Sequence, residues 1–337
     1  MTRRRPTMLA STASILAAAA LALTGCASNG ATDTATTEGP EATSAFRMGT
    51  QPWLGYGQWY VAEDQGFFAD RGVAVEISSF AADAEVNAAL AAGRLDMANV
   101  GSQAALQFIE EGLDVSIVML LDSATTADAI LSGEGIDSTA DLAGKRVAFE
   151  EGATSEILLA EALAGAGLDF TDITVVPTGA DTVAPMLIAG QVDAGVTYEP
   201  YVSEALAAGD GIQMIESAAD HPGLISDVLV VRNEVLQQRP DEVREVLAAW
   251  GDAVTFSTEN VDEGRAIIAA GVGSKPEELS TAFDGVHYYT LEENRELLAG
   301  SYLEETLPAL AKVAARIGLI SGSVDAASTI DASFLGK

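Results

Sequence analysis

The sequence predicts an α/β fold of two similar lobes, each a mostly parallel sheet flanked by helices. Two observations carry that reading. Short apolar segments alternate with longer ones whose apolar residues return every three or four positions, the pattern of βαβ units. A motif also recurs: Ala92-Gly93-Arg94-Leu95-Asp96 and Ala189-Gly190-Gln191-Val192-Asp193 both read A-G-x-[LV]-D and lead into small and apolar residues.

The elements follow in order. Phe46-Arg47-Met48-Gly49 opens the first copy as a strand, and the Pro- and Gly-punctuated loop Thr50 to Gly57 leads into a helix around Gln58 to Gln65. Val73 to Ile77 is the next strand. Asp83 stands near the start of the helix AEVNAALAA, and the motif glycine stops that helix before the following strand. The second copy repeats the order: strand Arg146 to Phe149, loop EEGATS, helix ILLAEALAGAG, strand Ile173 to Val176, Asp181 near a helix start, helix TVAPMLIA, motif. From Pro240 onward the helical period returns, which predicts helices that pack on the first lobe. TAFDGVHYYTLEENRELL and LPALAKVAARIGLI read as surface and terminal helices.

Open α/β sheets bind ligands at the carboxyl ends of their strands. Four loops stand there: Thr50 to Gly57, Gly101-Ser102-Gln103, Glu150 to Ser155 and Tyr198-Glu199-Pro200. Residues 50–68 concentrate aromatics. Trp59, Tyr60, Phe67 and Phe68 lie on or after a helix with an apolar face and belong to a core; Trp53 and Tyr56, in the loop, are placed to wall a cleft.

The chain begins with three arginines, an apolar run and Leu23-Thr24-Gly25-Cys26, the order of a secretion signal. The run is shorter than the roughly 18 residues of a spanning helix. Leu-x-Gly-Cys resembles the bacterial lipobox, which implies lipidation of Cys26 and a membrane anchor on the outer face of the cytoplasmic membrane. Residues 27–45, rich in Thr, Ala, Ser and Gly, read as a flexible tether. Cys26 is the only cysteine, so disulfides and thiolate chemistry are excluded from the rest, and His221 and His287 lie too far apart in sequence to suggest a zinc site. The formal net charge of −33 excludes nucleic acid as a partner.

GFFADRGVAVEI, LAAGRLDMANVG, DLAGKRVAFEEGATSEILL and AGQVDAGVTYEPYVSEAL, in this order, resemble the extracytoplasmic solute-binding proteins of bacterial ABC importers. The nearest branch is the nitrate, sulfonate and taurine type, which shades into binding proteins for the thiamine-pyrimidine precursor. The resemblance runs from about Phe46 to Ile320. It implies a two-lobed periplasmic-binding-protein fold (Venus-flytrap) with two interlobe crossings, near Leu121 to Ile130 and near Ser226 to Val231. The lobes are then 46–122 plus 231–337 and 123–230. It also implies a monomer without cofactor or metal that binds and does not catalyse, serving a permease with its cytoplasmic ATPase. Where the family carries a Ser-x-Gly-x-Asp-x-Ile-like segment, this chain has Ser123 to Ile130 with Thr125 or Thr126 in place of the glycine. The His-Ala-Gly-like segment of the thiamine-pyrimidine branch falls on Gly57 to Ala62, which has no histidine.

The helix start at Gly152 to Ser155 suits a sulfonate or nitrate-like anion, with Thr154, Ser155, Ser123, Thr125 and Thr126 as hydroxyl donors. Against an anion stand Asp122, Asp128, Glu150, Glu151, Glu199 and Asp227, with Arg47, Arg94, Lys145, Arg146 and Arg232 as the nearby cations. Taurine, a zwitterion, satisfies both sets; a cationic or heterocyclic solute is the alternative, and a sensory lipoprotein without a transporter is the rival role. The expected ligand contacts are Trp53, Tyr56, Ser102, Gln103, Ser123, Thr125, Thr126, Thr154, Ser155, Tyr198, Glu199 and Asp227.

Overall fold

The computed structural model describes residues 44–336 apart from Asp210 and Ser323. The signal segment, Cys26 and nearly all of the tether lie outside the described residues. From Phe46 the chain forms β1 (Phe46–Thr50), α1 (Gly57–Asp64), α2 (Phe67–Asp70), β2 (Val75–Ser79), α3 (Asp83–Ala91), β3 (Met97–Gly101), α4 (Ser102–Glu110) and β4 (Val115–Ala124). It continues through β5 (Asp128–Ser132), β6 (Arg146–Phe149), α5 (Thr154–Gly165), β7 (Thr174–Pro177), α6 (Ala180–Ile188), β8 (Ala194–Tyr198), α7 (Tyr201–Ala208) and β9 (Gln213–Ser217). The last part holds β10 (Ser226–Arg232), α8 (Asn233–Gln238), α9 (Pro240–Glu259), α10 (Val261–Gly271), β11 (Val286–Tyr288), α11 (Leu291–Leu298) and α12 (Leu307–Arg316).

Two mixed sheets result, ordered β2-β1-β3-β10-β4-β11 and β7-β6-β8-β5-β9. Both begin with three parallel strands followed by an antiparallel one, β10 in the first and β5 in the second. The recurring motif in the sequence is therefore a recurring topology. Its chemistry is shared too. Arg47, at the start of β1, gives its backbone N–H and Nε to one Asp96 oxygen at 2.9 and 3.1 Å; Arg146, at the start of β6, does the same to Asp193 at 2.8 and 3.1 Å. Each motif glycine ends its helix at positive φ, 69° at Gly93 and 66° at Gly190, and the next N–H reaches back five residues, to Ala89 or Met186. The aspartate can then turn onto the neighbouring strand's arginine, which holds β3 beside β1 and β8 beside β6.

These ion pairs are half in water, so their contribution is modest. Asp96→Ala and Asp193→Ala are each expected to lower unfolding stability by about 1 kcal/mol, mostly through the backbone N–H left without its acceptor. The sites lie in different sheets, so the double variant should lose the sum in a urea titration. A double variant no worse than either single one would show that the pairs are not independent.

The helices after β10 pack as the sequence predicts, with α9 and α10 lying on α1. Trp59 on α1 meets Trp250 on α9 at 4.7 Å between ring centroids, and its Nε1 donates to Asn99 Oδ1 at 2.9 Å. Trp59 and Phe68 are buried, while Tyr60 and Phe67 pack against the same core from its margin.

Three expectations shift. The segment Val286–Tyr288, read as part of a surface helix, is a strand at the edge of the first sheet, paired to Asp122–Ala124 of β4. The second connection between the sheets runs through residues 218–225, and Ser226–Val231 lies inside β10. Ser123, Ala124 and residues 226–230 accordingly pair in the first sheet, not the second. The first connection, 125–127, falls inside the expected stretch.

Candidate functional site

Residues from both sheets wall one cavity at the carboxyl ends of β1, β6 and β8. The first sheet's side supplies Gln51 and Trp53 after β1, Tyr56 just before α1, Asp83 at the start of α3 and Asp227 on β10. From the second come Asp128 on β5, Glu150 after β6, Ala153 to Ser155 around the start of α5, Ala180 at the start of α6 and Tyr198 on β8. β5 and β10 run against their parallel neighbours, so their first residues arrive at the same end as the others' last. The void is about 30 Å³, roughly the volume share of one water. Admitting a solute therefore requires the two sides to part.

Two aromatic residues fix one wall. Trp53 stands edge-on to Tyr198 at 5.6 Å and donates Nε1 to Asp122 at 3.2 Å, while Tyr56 donates its hydroxyl to Asp227 Oδ1 at 3.1 Å. Asp122 and Asp227 face each other in register across β4 and β10. Like charges directly opposite repel, and burial adds to this. Burial, then the neighbouring Asp227, holds Asp122 well above the ordinary carboxylate range; burial raises Asp227 too, but only to about 6, because the Tyr56 hydroxyl donates to it. Burial and mutual repulsion thus disfavour full ionisation of the pair.

Three further acids belong to the cavity. Burial, with Glu150 and Asp227 close by, raises Asp83 to about 8. Burial also lifts Asp128 well above its usual value, helped by Asp227, Asp83 and Glu199. Glu150 rises by burial too, against the pull of the backbone N–H groups of Asp83, Ala84 and Ala180. None of the lining residues is lysine, arginine or histidine. The five cations named from the sequence cluster elsewhere: Arg47, Arg94, Lys145 and Arg146 lie at or just before the starts of β1, β3 and β6, and Arg232 at the end of antiparallel β10. All occupy the far end of the sheets.

Of the twelve residues expected at the ligand, Trp53, Tyr56, Thr154, Ser155, Tyr198 and Asp227 line the cavity. The other six do not. Ser102 is fully buried in a hydroxyl network with Ser226 and Tyr302. Gln103 instead reaches across to the Thr154 hydroxyl at 3.2 Å and clasps α4 to α5. Ser123 continues β4 opposite His287, and Thr125 bonds to the Gly285 carbonyl with Thr126 close beside it. Glu199 receives the Ser203 N–H and hydroxyl, both at 2.9 Å, and so caps α7. His221 and His287 are bound to Glu216 and Glu293 away from the cavity. Sequence reasoning missed Asp83, read only as a helix start, and Gln51, whose one signal was its place directly after a strand.

The taurine-binding periplasmic protein of Escherichia coli is 23% identical over 181 residues, covering 54% of this chain and 57% of that one. The crystal structure of the periplasmic aliphatic sulphonate binding protein SsuA from Escherichia coli matches with a TM-score of 0.70 at 23% identity, covering 86% of this chain and 98% of that one. The periplasmic nitrate-binding protein NrtA from Synechocystis PCC 6803 matches with a TM-score of 0.70 at 16% identity, covering 84% of each. These two structures share the two-sheet fold found here. The model of the family described as NMT1/THI5 like matches residues 55–263, and the chain belongs to that family.

Proposed function

We propose that this chain is the extracytoplasmic solute-binding component of an ABC importer and that its solute is taurine or another small sulfonate. One observation carries the reading: a cavity takes its walls from both sheets, at the strand ends where α/β proteins bind ligands. The two sheets serve as lobes hinged at residues 125–127 and 218–225. A ligand touching both lobes stabilises the closed arrangement, which then docks on the permease. Lipidation of Cys26 would keep the monomer at the outer face of the membrane. The sulfonate would sit at the start of α5, where helix N–H groups carry about half a positive charge and Thr154 and Ser155 stand at the cavity wall. The Ser155 hydroxyl is already engaged with the Glu150 backbone at 3.0 Å, which leaves Thr154 as the hydroxyl free to turn from Gln103 to the ligand. No covalent step is involved. The acids and rings favour a second reading, a cationic heterocycle such as an aminopyrimidine.

Taurine at one hundred times its dissociation constant should stabilise the protein by about 2.7 kcal/mol, a rise of roughly 5–11 °C for 150–250 residues and somewhat less here. Aminopyrimidine, nitrate and ethanesulfonate belong in the same thermal-shift screen. A melt unmoved by every one of them at millimolar concentration would end the solute-binding proposal.

A further inference from the structure

We infer that the ligand carries a protonated amine, held between Asp128 on one side of the cavity and Gln51 on the other. This inference rests on the proposed solute-binding role and narrows it to amine-bearing solutes. Gln51 is 1% exposed, and its Nε2 is fixed by donating to Asp83 Oδ1 at 2.6 Å, so the amide oxygen is the free end. That oxygen, Oε1, is buried at the cavity with no hydrogen-bond partner. Asp128 is 5% exposed and lines the same cavity from the second sheet's side. A buried acceptor without a donor costs about 1–3 kcal/mol, more when charged. Gln51 Oε1 is such an acceptor, and Asp128 offers a carboxyl that a cation would hold in its charged, accepting form, so the complementary ligand group is a donor.

The surrounding chemistry selects a charged donor. Asp227 adds negative potential from the first sheet's side, and no lysine, arginine or histidine of the wall competes for it. Trp53, Tyr56 and Tyr198 offer aromatic surface of the kind that favours a cation. The acids do not converge on a point: among the described residues no three His, Cys, Asp or Glu side chains are placed to hold a metal ion. An ammonium, with three N–H donors pointing apart, fits dispersed acceptors better than a single ion does. Gln51 belongs to the first sheet's side and Asp128 to the second, so an amine bonded to both ties the two sides together. The anion position between the starts of α3 and α6 is already filled by the Glu150 carboxylate, which accepts the Asp83 N–H at 2.9 Å. A bare anion would find that place taken, and would leave the Gln51 amide oxygen unmet.

Calorimetric titration of the purified protein with taurine, ethanesulfonate and ethylammonium tests the inference. Taurine is expected to bind at least tenfold more tightly than ethanesulfonate. Asp128→Asn should lower taurine affinity about tenfold or more, the effect of losing a charged hydrogen bond, and leave ethanesulfonate unchanged. Gln51→Met should act in the same direction, and a melting curve for each variant confirms folding. Should neither variant fold, the wild-type comparison of taurine with ethanesulfonate still decides. Equal binding of taurine and ethanesulfonate would overturn the amine inference while the solute-binding role stands. Binding of ethylammonium alone would uphold the amine site and remove the sulfonate from the proposed function. Failure of both amine probes to bind would overturn the inference.

Discussion

Glu150→Ala is expected to weaken taurine binding by roughly thirtyfold and to expand the ligand-free protein in solution. The carboxylate of Glu150 accepts the Asp83 N–H at 2.9 Å and is held also by the N–H groups of Ala84 and Ala180. Asp83 and Ala84 begin α3, on the first sheet's side; Ala180 begins α6, on the second. The first N–H groups of a helix have no partner within it and carry the positive end of its dipole. One side chain therefore ties the two halves at a place where both present donors. Hydrogen bonds to a charged group contribute about 1.5–3 kcal/mol each, but parting of the halves would let water replace them. A net loss of about 2 kcal/mol follows, which is the stated factor in affinity. Glu150→Gln keeps one acceptor oxygen and should lose less than the alanine variant. Calorimetry reads the affinity, and small-angle scattering reads the radius of gyration without ligand. An alanine variant unchanged in both would show that Glu150 does not join the halves.

Glu150 also marks the limit of what the sequence discloses. EEGATS is legible as a loop ahead of a helix, and its acids as a difficulty for an anion; that one of them spans two helix starts depends on where α3 and α6 come to rest. The repeat behaves in the same way. A-G-x-[LV]-D is visible in both copies, yet its partner arginine stands far upstream, and only the parallel pairing of β1 with β3 and β6 with β8 brings the two together. Arg47 and Arg146 consequently looked available to a ligand although they sit at the wrong ends of their strands. Trp53 and Tyr56 were readable because they stand in a proline- and glycine-marked segment ahead of α1 and after a strand end, not on the apolar face of that helix. Ser123, Thr125 and Thr126 were misplaced for a tertiary reason: the three-residue strand β11, too short to show a period, covers that stretch of β4 and its exit. Asp83 was hidden by a local role that it resembles. An aspartate at a helix start is ordinarily a solvated cap, and the turn inward to Gln51 follows from the approach of β1.

The ligand-free protein is expected to melt about 5 °C lower at pH 8 than at pH 5. Asp83 and Asp227 release their protons near pH 8 and pH 6 in the folded chain, whereas an unfolded aspartate does so near 3.9. The folded state thus holds more protons than the unfolded state between these values, and stability falls as pH rises through that window. The contribution is whole below about pH 4 and is gone above about pH 8. Asp96 and Asp193, held low by hydrogen bonds from Arg47 and Arg146 against the cost of burial, titrate below the window and oppose the trend only in stronger acid. Asp83→Asn retains an acceptor for Gln51 without the charge, and should flatten the decline between pH 6 and 8. Asp122→Asn should alter the decline less than Asp83→Asn, because burial and Asp227 already disfavour a charge at Asp122 and an amide can still donate to Asp227. Both substitutions separate the buried acids from general repulsion in so acidic a chain, which neither single change would appreciably relieve. Melting curves from pH 5 to 8 that run parallel for the wild type and Asp83→Asn would mean that Asp83 is ionised throughout. In that case its charge would have to be matched by a group other than Gln51.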